Sequence, residues 1–256
     1  MKLAITGKGG AGKTTVAVLL ARYLADTGHK VIVLDADPDA NTAMALGLDP
    51  EHCPEPVSEL KGLIAERTGA KGSGGEFFTL NPKVDDIPER YAVDVGGVKL
   101  LRMGRLAKGG GGCFCPENAF LKNLLAYLFF SDDQTVILDM EAGVEHLGRG
   151  TAQGVDRMLV VVEPGRRSIQ TALTIKQYAA DIGVYDVGVI INKYRSEDEL
   201  RSIESELTGL PVVGRIPYDE FIAGADLKGV CPYRGTEDQK RLVQELLRGL
   251  APGVAV

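Results

Sequence analysis

The 256-residue chain has no tryptophan, and aromatic residues make up only 6% of it. Its four cysteines, Cys53, Cys113, Cys115 and Cys231, are too few to staple a secreted fold, so a disulfide-built protein is excluded and a reducing, cytoplasmic setting is expected. No apolar run approaches the roughly 18 residues of a membrane span. Only Leu3 to Thr6 separate Met1-Lys2 from the first glycine loop, so no secretory h-region is expected. Basic charge is not in excess: 29 Lys and Arg stand against 35 Asp and Glu, a net charge of −6. That balance disfavours coating nucleic acid or an anionic lipid surface. With 45% hydrophobic and 25% charged residues the composition is that of a globular chain, which excludes a disordered or fibrous protein.

Strand and helix signals alternate. Leu3–Thr6, Val31–Leu34, Thr135–Leu138, Met158–Val162, Val187–Ile191 and, more weakly, Val212-Val213 are short apolar runs of buried-strand type. Helical spacing appears over Lys13–Ala25, Ala119–Phe130, Ser168–Asp181, Glu197–Leu207 and Asp238–Leu247. Such alternation predicts an α/β fold, a single doubly wound and mostly parallel sheet with helices on both faces. Residues 49–112 break the rhythm with Pro50, Pro54, Pro56 and the Lys71-Gly72-Ser73-Gly74-Gly75 turn. Phe77–Leu80 and Val98–Arg102 within it still look like strands. No long polar linker divides the chain, so 1–256 is expected to be one domain with an elaboration at about 49–112.

Gly7-Lys8-Gly9-Gly10-Ala11-Gly12-Lys13-Thr14 fits G-x-x-x-x-G-K-[ST] and lies where that motif must, after a buried strand and before a helix. Its glycines let backbone N–H groups turn inward onto phosphate oxygens, and the positive end of the next helix faces the same charge. Lys13 is placed to reach the β and γ phosphates of a nucleotide, and Thr14 to ligate Mg²⁺. Thr135-Val-Ile-Leu-Asp139, then Met140-Glu141-Ala142-Gly143, has the form of a Walker B strand. Asp139 would hold Mg²⁺ through a water, and the Gly143 N–H could meet the γ-phosphate. Three aspartates fall in Asp35-Ala36-Asp37-Pro38-Asp39 at the end of the second strand, beside the phosphate site. An acidic turn with Asp39 as a helix cap is the alternative.

Lys8 departs from a plain P-loop. Gly-Lys-Gly-Gly-x-Gly-Lys-Thr14-Thr15 resembles the deviant Walker A ATPases, which include the nitrogenase iron protein, MinD and the partition ATPases. The resemblance implies a nucleotide-sandwich homodimer in which Lys8 crosses to the partner's nucleotide. It further implies that Asp39 orients or deprotonates the attacking water, that Asp37 lies near the Mg²⁺ shell, and that Asn192 of Ile190-Ile191-Asn192-Lys193 bonds the base. A structural asparagine is the alternative. Arg195 stands where a guanine-reading aspartate would be, which favours adenine, and Ile216-Pro217-Tyr218 is expected to line the far side of the base.

Cys113-Phe114-Cys115 follows Gly109–Gly112, and Pro116 reads as the first residue of a helix with Cys115 near its N-cap. Residues i and i+2 of an extended segment point the same way, and a helix N-terminus favours a thiolate. Two sulfurs do not complete a metal site, but a two-fold dimer supplies four, enough for Ni²⁺, Zn²⁺ or an iron–sulfur cluster. Two ordinary buried cysteines, or a redox pair, are the alternatives. Cys53 and Cys231 are expected to be structural, and His146 a hydrogen-bonded helix histidine.

The loop, Asp-x-Asp-Pro-Asp39, Arg102-Met103-Gly104, the C-x-C before Glu117-Asn118, and Asp139-Met-Glu-Ala-Gly-Val-Glu-His-Leu-Gly-Arg-Gly-Thr151 together resemble the nickel-insertion ATPases of the CooC type. That resemblance runs from Met1 to about Tyr218. It implies an ATP hydrolase carrying Ni²⁺ or Zn²⁺ at a shared cysteine site, with apo carbon monoxide dehydrogenase or acetyl-CoA synthase as client and neither nucleic acid nor a stable membrane association. A MinD-like positioner or an iron–sulfur reductase is the competing reading. The reductase would set its cluster cysteines far apart, and the positioner would end in a basic amphipathic helix.

Overall fold

A computed structural model describes residues 1–37, 39, 41–70, 77–104, 115–144 and 146–250. Eight strands form one sheet in the order β3-β4-β2-β5-β1-β6-β7-β8. They are β1 (Lys2–Gly7), β2 (Val31–Asp35), β3 (Val93–Val95), β4 (Val98–Arg102), β5 (Thr135–Asp139), β6 (Arg157–Val162), β7 (Val187–Tyr194) and β8 (Val212–Pro217). Every neighbouring pair is parallel except β3–β4. The helices are α1 (Lys13–Asp26), α2 (Thr42–Ala45), α3 (Lys61–Thr68), α4 (Ile87–Tyr91), α5 (Pro116–Phe130), α6 (Arg149–Ala152), α7 (Arg166–Ile182), α8 (Glu197–Glu206), α9 (Glu220–Ala225) and α10 (Glu237–Leu250).

The period-2 direction of strand side chains makes two cores from one sheet. Along β2, Val31 and Val33 pack on one face with α1, α2 and α10, while Ile32 and Leu34 pack on the other with α3, α5, α7 and α8. The middle positions of the central strands, such as Leu3–Ile5, Val31–Leu34 and Val136–Leu138, are therefore apolar on both faces, as a sheet covered on both sides requires, and polar residues stand at the strand ends. From β1 the chain moves to β2 on one side, and later from β5 to β6 on the other. The strand order thus reverses beside β1, and an α/β sheet opens its crevice at the carboxyl ends of strands around such a point. No helix of the described residues is long and apolar enough to cross a membrane.

Residues 49–112 differ from expectation in part. Phe77–Leu80 is not a strand: it is irregular, with Phe77 wholly exposed and Leu80 half-exposed. The sheet edge beyond β4 is instead taken by β3, through the two-residue turn Gly96-Gly97. Both glycines have positive φ, 58° and 84°, as a tight hairpin that matches strand twist demands. His146 lies in a turn rather than a helix and is buried.

Candidate functional site

The loop after β1 is shaped by contacts that exclude side chains. A Cβ on Gly7 would meet the Val161 carbonyl of β6, and one on Gly12, at φ +96°, would meet the Asn192 amide. Ala11 is fully buried; its N–H donates to the Lys8 carbonyl (3.1 Å), and its carbonyl accepts from Asn192 Nδ2 (2.8 Å). The Lys193 ammonium donates to the Gly10 carbonyl (2.5 Å). Helix α1 begins at Lys13 with no side-chain cap and no acidic residue in its first turn. Its first N–H groups are left for an anion, which is what a phosphate site at a helix N-terminus requires. Lys13 itself is buried there.

Beside the loop, the ends of three elements bring acid groups together. Strand register sets Asp35 opposite Asp139. Asp139 Oδ2 accepts from the hydroxyls of Thr14 (2.7 Å) and Thr42 (3.1 Å). Its Oδ1 is buried and has no hydrogen-bond partner among the described residues. Asp35 accepts from the N–H groups of Asp37 (3.2 Å) and Thr42 (3.3 Å). Burial, reinforced by Asp139, pushes the Asp35 carboxyl up to about 7. Burial pushes Asp139 up to about 6, opposed by the two threonine hydroxyls and the Lys13 charge. Two buried carboxylates with one acceptor unspent are a donor set that suits Mg²⁺, a hard cation that takes oxygen ligands. The residues present fit that ion.

Among the other expected residues, Asp37 is half-buried, and its charge contributes to raising Asp139. Asp39 is exposed, its N–H donating to the Asp37 carboxylate (3.0 Å). The Gly143 N–H is engaged by the Thr6 hydroxyl (3.1 Å), which also lies within bonding distance of the Glu141 carbonyl (2.7 Å). Meeting a phosphate would require that turn to move. Asn192 spends an amide proton on the loop, so its visible role is a strut. Pro217 ends β8, and beside it Arg195 stacks on the Tyr218 ring at 3.6 Å. Cys115 is the N-cap of α5, its Sγ accepting from the Asn118 N–H (3.5 Å), with Pro116 at the first helical position. Cys113 lies outside the described residues, as do Gly109–Gly112. Among the described residues no group of three or more metal-ligating side chains forms.

Sequence reasoning left four participants without a role. Asp35 was visible within the acidic run, but only register shows that it faces Asp139. Thr6, Thr42 and Glu163 carry no motif. The signal available for Glu163 was its place immediately after a buried strand, at the carboxyl edge of the sheet. The string Arg102-Met103-Gly104 holds the 54–58 segment against the sheet: Arg102 donates to the Pro54 carbonyl (3.1 Å), and the Met103 carbonyl accepts from the Ser58 N–H (3.1 Å).

A phosphate-binding loop between β1 and α1, a threonine–aspartate pair beside it and a parallel sheet switching at β1 define a P-loop nucleotide-binding protein. The chain belongs to the CobQ/CobB/MinD/ParA nucleotide-binding domain family, whose profile matches residues 2–233. Within it, the resemblance to the CooC type holds over nearly the whole chain. The carbon monoxide dehydrogenase accessory protein CooC of Rhodospirillum rubrum is 46% identical over 91% of this chain and 89% of its own length. An uncharacterised ATP-binding protein of Methanocaldococcus jannaschii is also 46% identical, over 90% of each chain. Among solved structures, a chain of the MinC:MinD cell division protein complex of Aquifex aeolicus superposes with a TM-score of 0.71 at 20% identity, covering 100% of this chain and 97% of that one. MinD of Pyrococcus horikoshii, solved with Mg-ADP, gives 0.64 at 18%, covering 96% and 94%. These two likenesses speak for the fold.

Proposed function

We propose that this protein is a Mg-dependent ATPase that closes as a homodimer over ATP and uses the closure to hold and hand over nickel to apo carbon monoxide dehydrogenase or acetyl-CoA synthase. The observation that carries the reading is a complete P-loop corner with the extra Lys8 in a chain 46% identical to a carbon monoxide dehydrogenase accessory protein.

In this reading the open N-terminus of α1 and the Gly9–Gly12 amides bind the phosphates, with Lys13 neutralising the β and γ groups and Thr15 beside them. Thr14 and Asp139 would hold Mg²⁺, which would supply charge neutralisation at the phosphate oxygens. Asp37 supports that ion's shell, and Asp39 orients the attacking water. Lys8 acts across the dimer axis on the partner's phosphates. Asn192, Lys193 and Pro217 form the base end, which favours adenine. The engaged Gly143 turn is the element that moves when a γ-phosphate is present, because one N–H cannot serve both Thr6 and a phosphate.

Nickel is cargo here. Cys115 at a helix N-cap and Cys113 two residues earlier would give two thiolates per chain, four per dimer, enough for one Ni²⁺ or Zn²⁺. The setting proposed is cytoplasmic, with no nucleic acid and no stable membrane association. The test is metal titration of the reduced apoprotein under argon, with and without an ATP analogue, following mass by light scattering. One ion per two chains is expected, with thiolate charge-transfer absorption for nickel, and Cys113→Ser with Cys115→Ser should abolish uptake while nucleotide binding persists. Uptake unchanged by that double substitution would remove the metal half of the proposal.

A further inference from the structure

Glu163 follows the last residue of β6, at the rim of the phosphate loop. Its N–H donates to the hydroxyl of buried Ser168 (3.1 Å), which fixes the start of its side chain. The carboxylate lies between two lysines of the loop region. Oε1 is 3.0 Å from the Lys8 ammonium, and Oε2 is 3.6 Å from that of Lys193. Lys193 adopts φ +64°, the one non-glycine residue among those described with a positive φ, and its ammonium also donates to the Gly10 carbonyl. The pair is only partly exposed, Lys8 at 36% and Glu163 at 24%.

We propose that Glu163 is a positioning residue: it parks Lys8 on its own chain and thereby sets the nucleotide threshold for closure of the dimer. The inference rests on the reading of Lys8 as a residue that crosses to the partner. A lysine that serves a partner's nucleotide must first leave the carboxylate that holds it at home. With no triphosphate opposite, Glu163 keeps the ammonium, and the loop presents no free charge to a second copy. A triphosphate outcompetes one carboxylate, and Lys8 transfers. Lys193 then remains as the counter-ion of Glu163, so the exchange leaves no bare half-buried carboxylate and reverses once the phosphate is gone. Pairs as exposed as this one are individually weak, so the latch tunes the threshold and does not lock the chain.

The experiment compares wild type with Glu163→Gln, which keeps shape and removes charge. The analogue concentration at half-maximal dimer, read by light scattering in Mg²⁺, is expected to fall about two- to fivefold in the variant. Glu163→Asp, which keeps the charge on a shorter arm, should fall between the two. In nucleotide-free protein, amine labelling of Lys8 read by mass spectrometry should speed up in Glu163→Gln while that of distant lysines such as Lys99 is unchanged. A midpoint that stays put or rises in Glu163→Gln, in a wild type that does dimerise, overturns the latch alone. A wild type that stays single at saturating analogue overturns the dimer reading, and the role of Glu163 in closure falls with it.

Discussion

Asp35 and Asp139 are ionisable groups placed where ionisation is costly. Both carboxyls are raised by burial, Asp35 to about 7 and Asp139 to about 6, so the folded chain holds protons that the unfolded chain releases near pH 4. Where the folded state binds the extra proton, stability falls as pH rises. Without Mg²⁺ this contribution is full below about pH 4 and lost by about pH 7, a change of a few kcal/mol across the window. Urea midpoints at pH 4, 5.5 and 7 should show the decline, and Asp35→Asn should make it shallower, leaving the part due to Asp139, and stabilise the metal-free protein at pH 7. Added Mg²⁺ should recover stability at pH 7 in wild type by giving the ionised pair a counter-charge. A wild-type profile with no decline between pH 4 and 7 would mean that these carboxyls are not raised. Asp139→Asn exchanges a charged carboxylate for a neutral amide beside Thr14, and Mg-dependent hydrolysis should drop on the order of a hundredfold or more.

At the scale of elements, close approaches to glycine set how tightly the pieces fit. Gly12→Ala would force a side chain at φ +96° into the Asn192 amide, which braces the loop through Ala11. Nucleotide affinity should fall at least tenfold by calorimetry, while the thermal midpoint shifts by only a few degrees, since the strain is local. Gly214 tests the opposite case. On β8 it receives Leu246 of α10 and lies away from the loop. Gly214→Val should cost about 1–3 kcal/mol by overpacking, seen in urea, and leave nucleotide affinity within about twofold. Helix α5 joins both concerns. Its apolar face, including Phe120, Leu124 and Leu128, is fixed in the core, so the Cys115 cap at its start is held by a rigid rod.

The whole molecule has its chemistry on one edge. The loop, Asp35, Asp139 and Glu163 all lie at the carboxyl ends of β1, β2, β5 and β6, the four neighbouring central strands. A dimer that closes over this edge makes hydrolysis a second-order property of the chain. Turnover per chain should therefore rise with protein concentration in wild type and stay low and flat in Lys8→Ala, measured by phosphate release from dilute to concentrated protein. A rate per chain independent of concentration in both proteins would leave Lys8 working, if at all, within its own chain.

The sequence by itself determined what local chemistry can determine. The glycine loop, its lysine and its threonine are contiguous because backbone N–H groups must converge on one anion, and the strand–helix alternation follows from burying a sheet on two faces. Proline at the first helical position placed Cys115 at its cap for an equally local reason, which Asn118 then satisfied. Only the tertiary structure decided which strand ends meet. It set Asp35 against Asp139 through the register of β2 and β5, brought Thr42 to the same carboxylate, and put Glu163 against Lys8. It also filled the edge beyond β4 with the hairpin at Gly96-Gly97 and left Phe77–Leu80 without a strand to pair with. Those outcomes depend on sheet order and burial, which join residues far apart in the chain and leave no periodic trace in it.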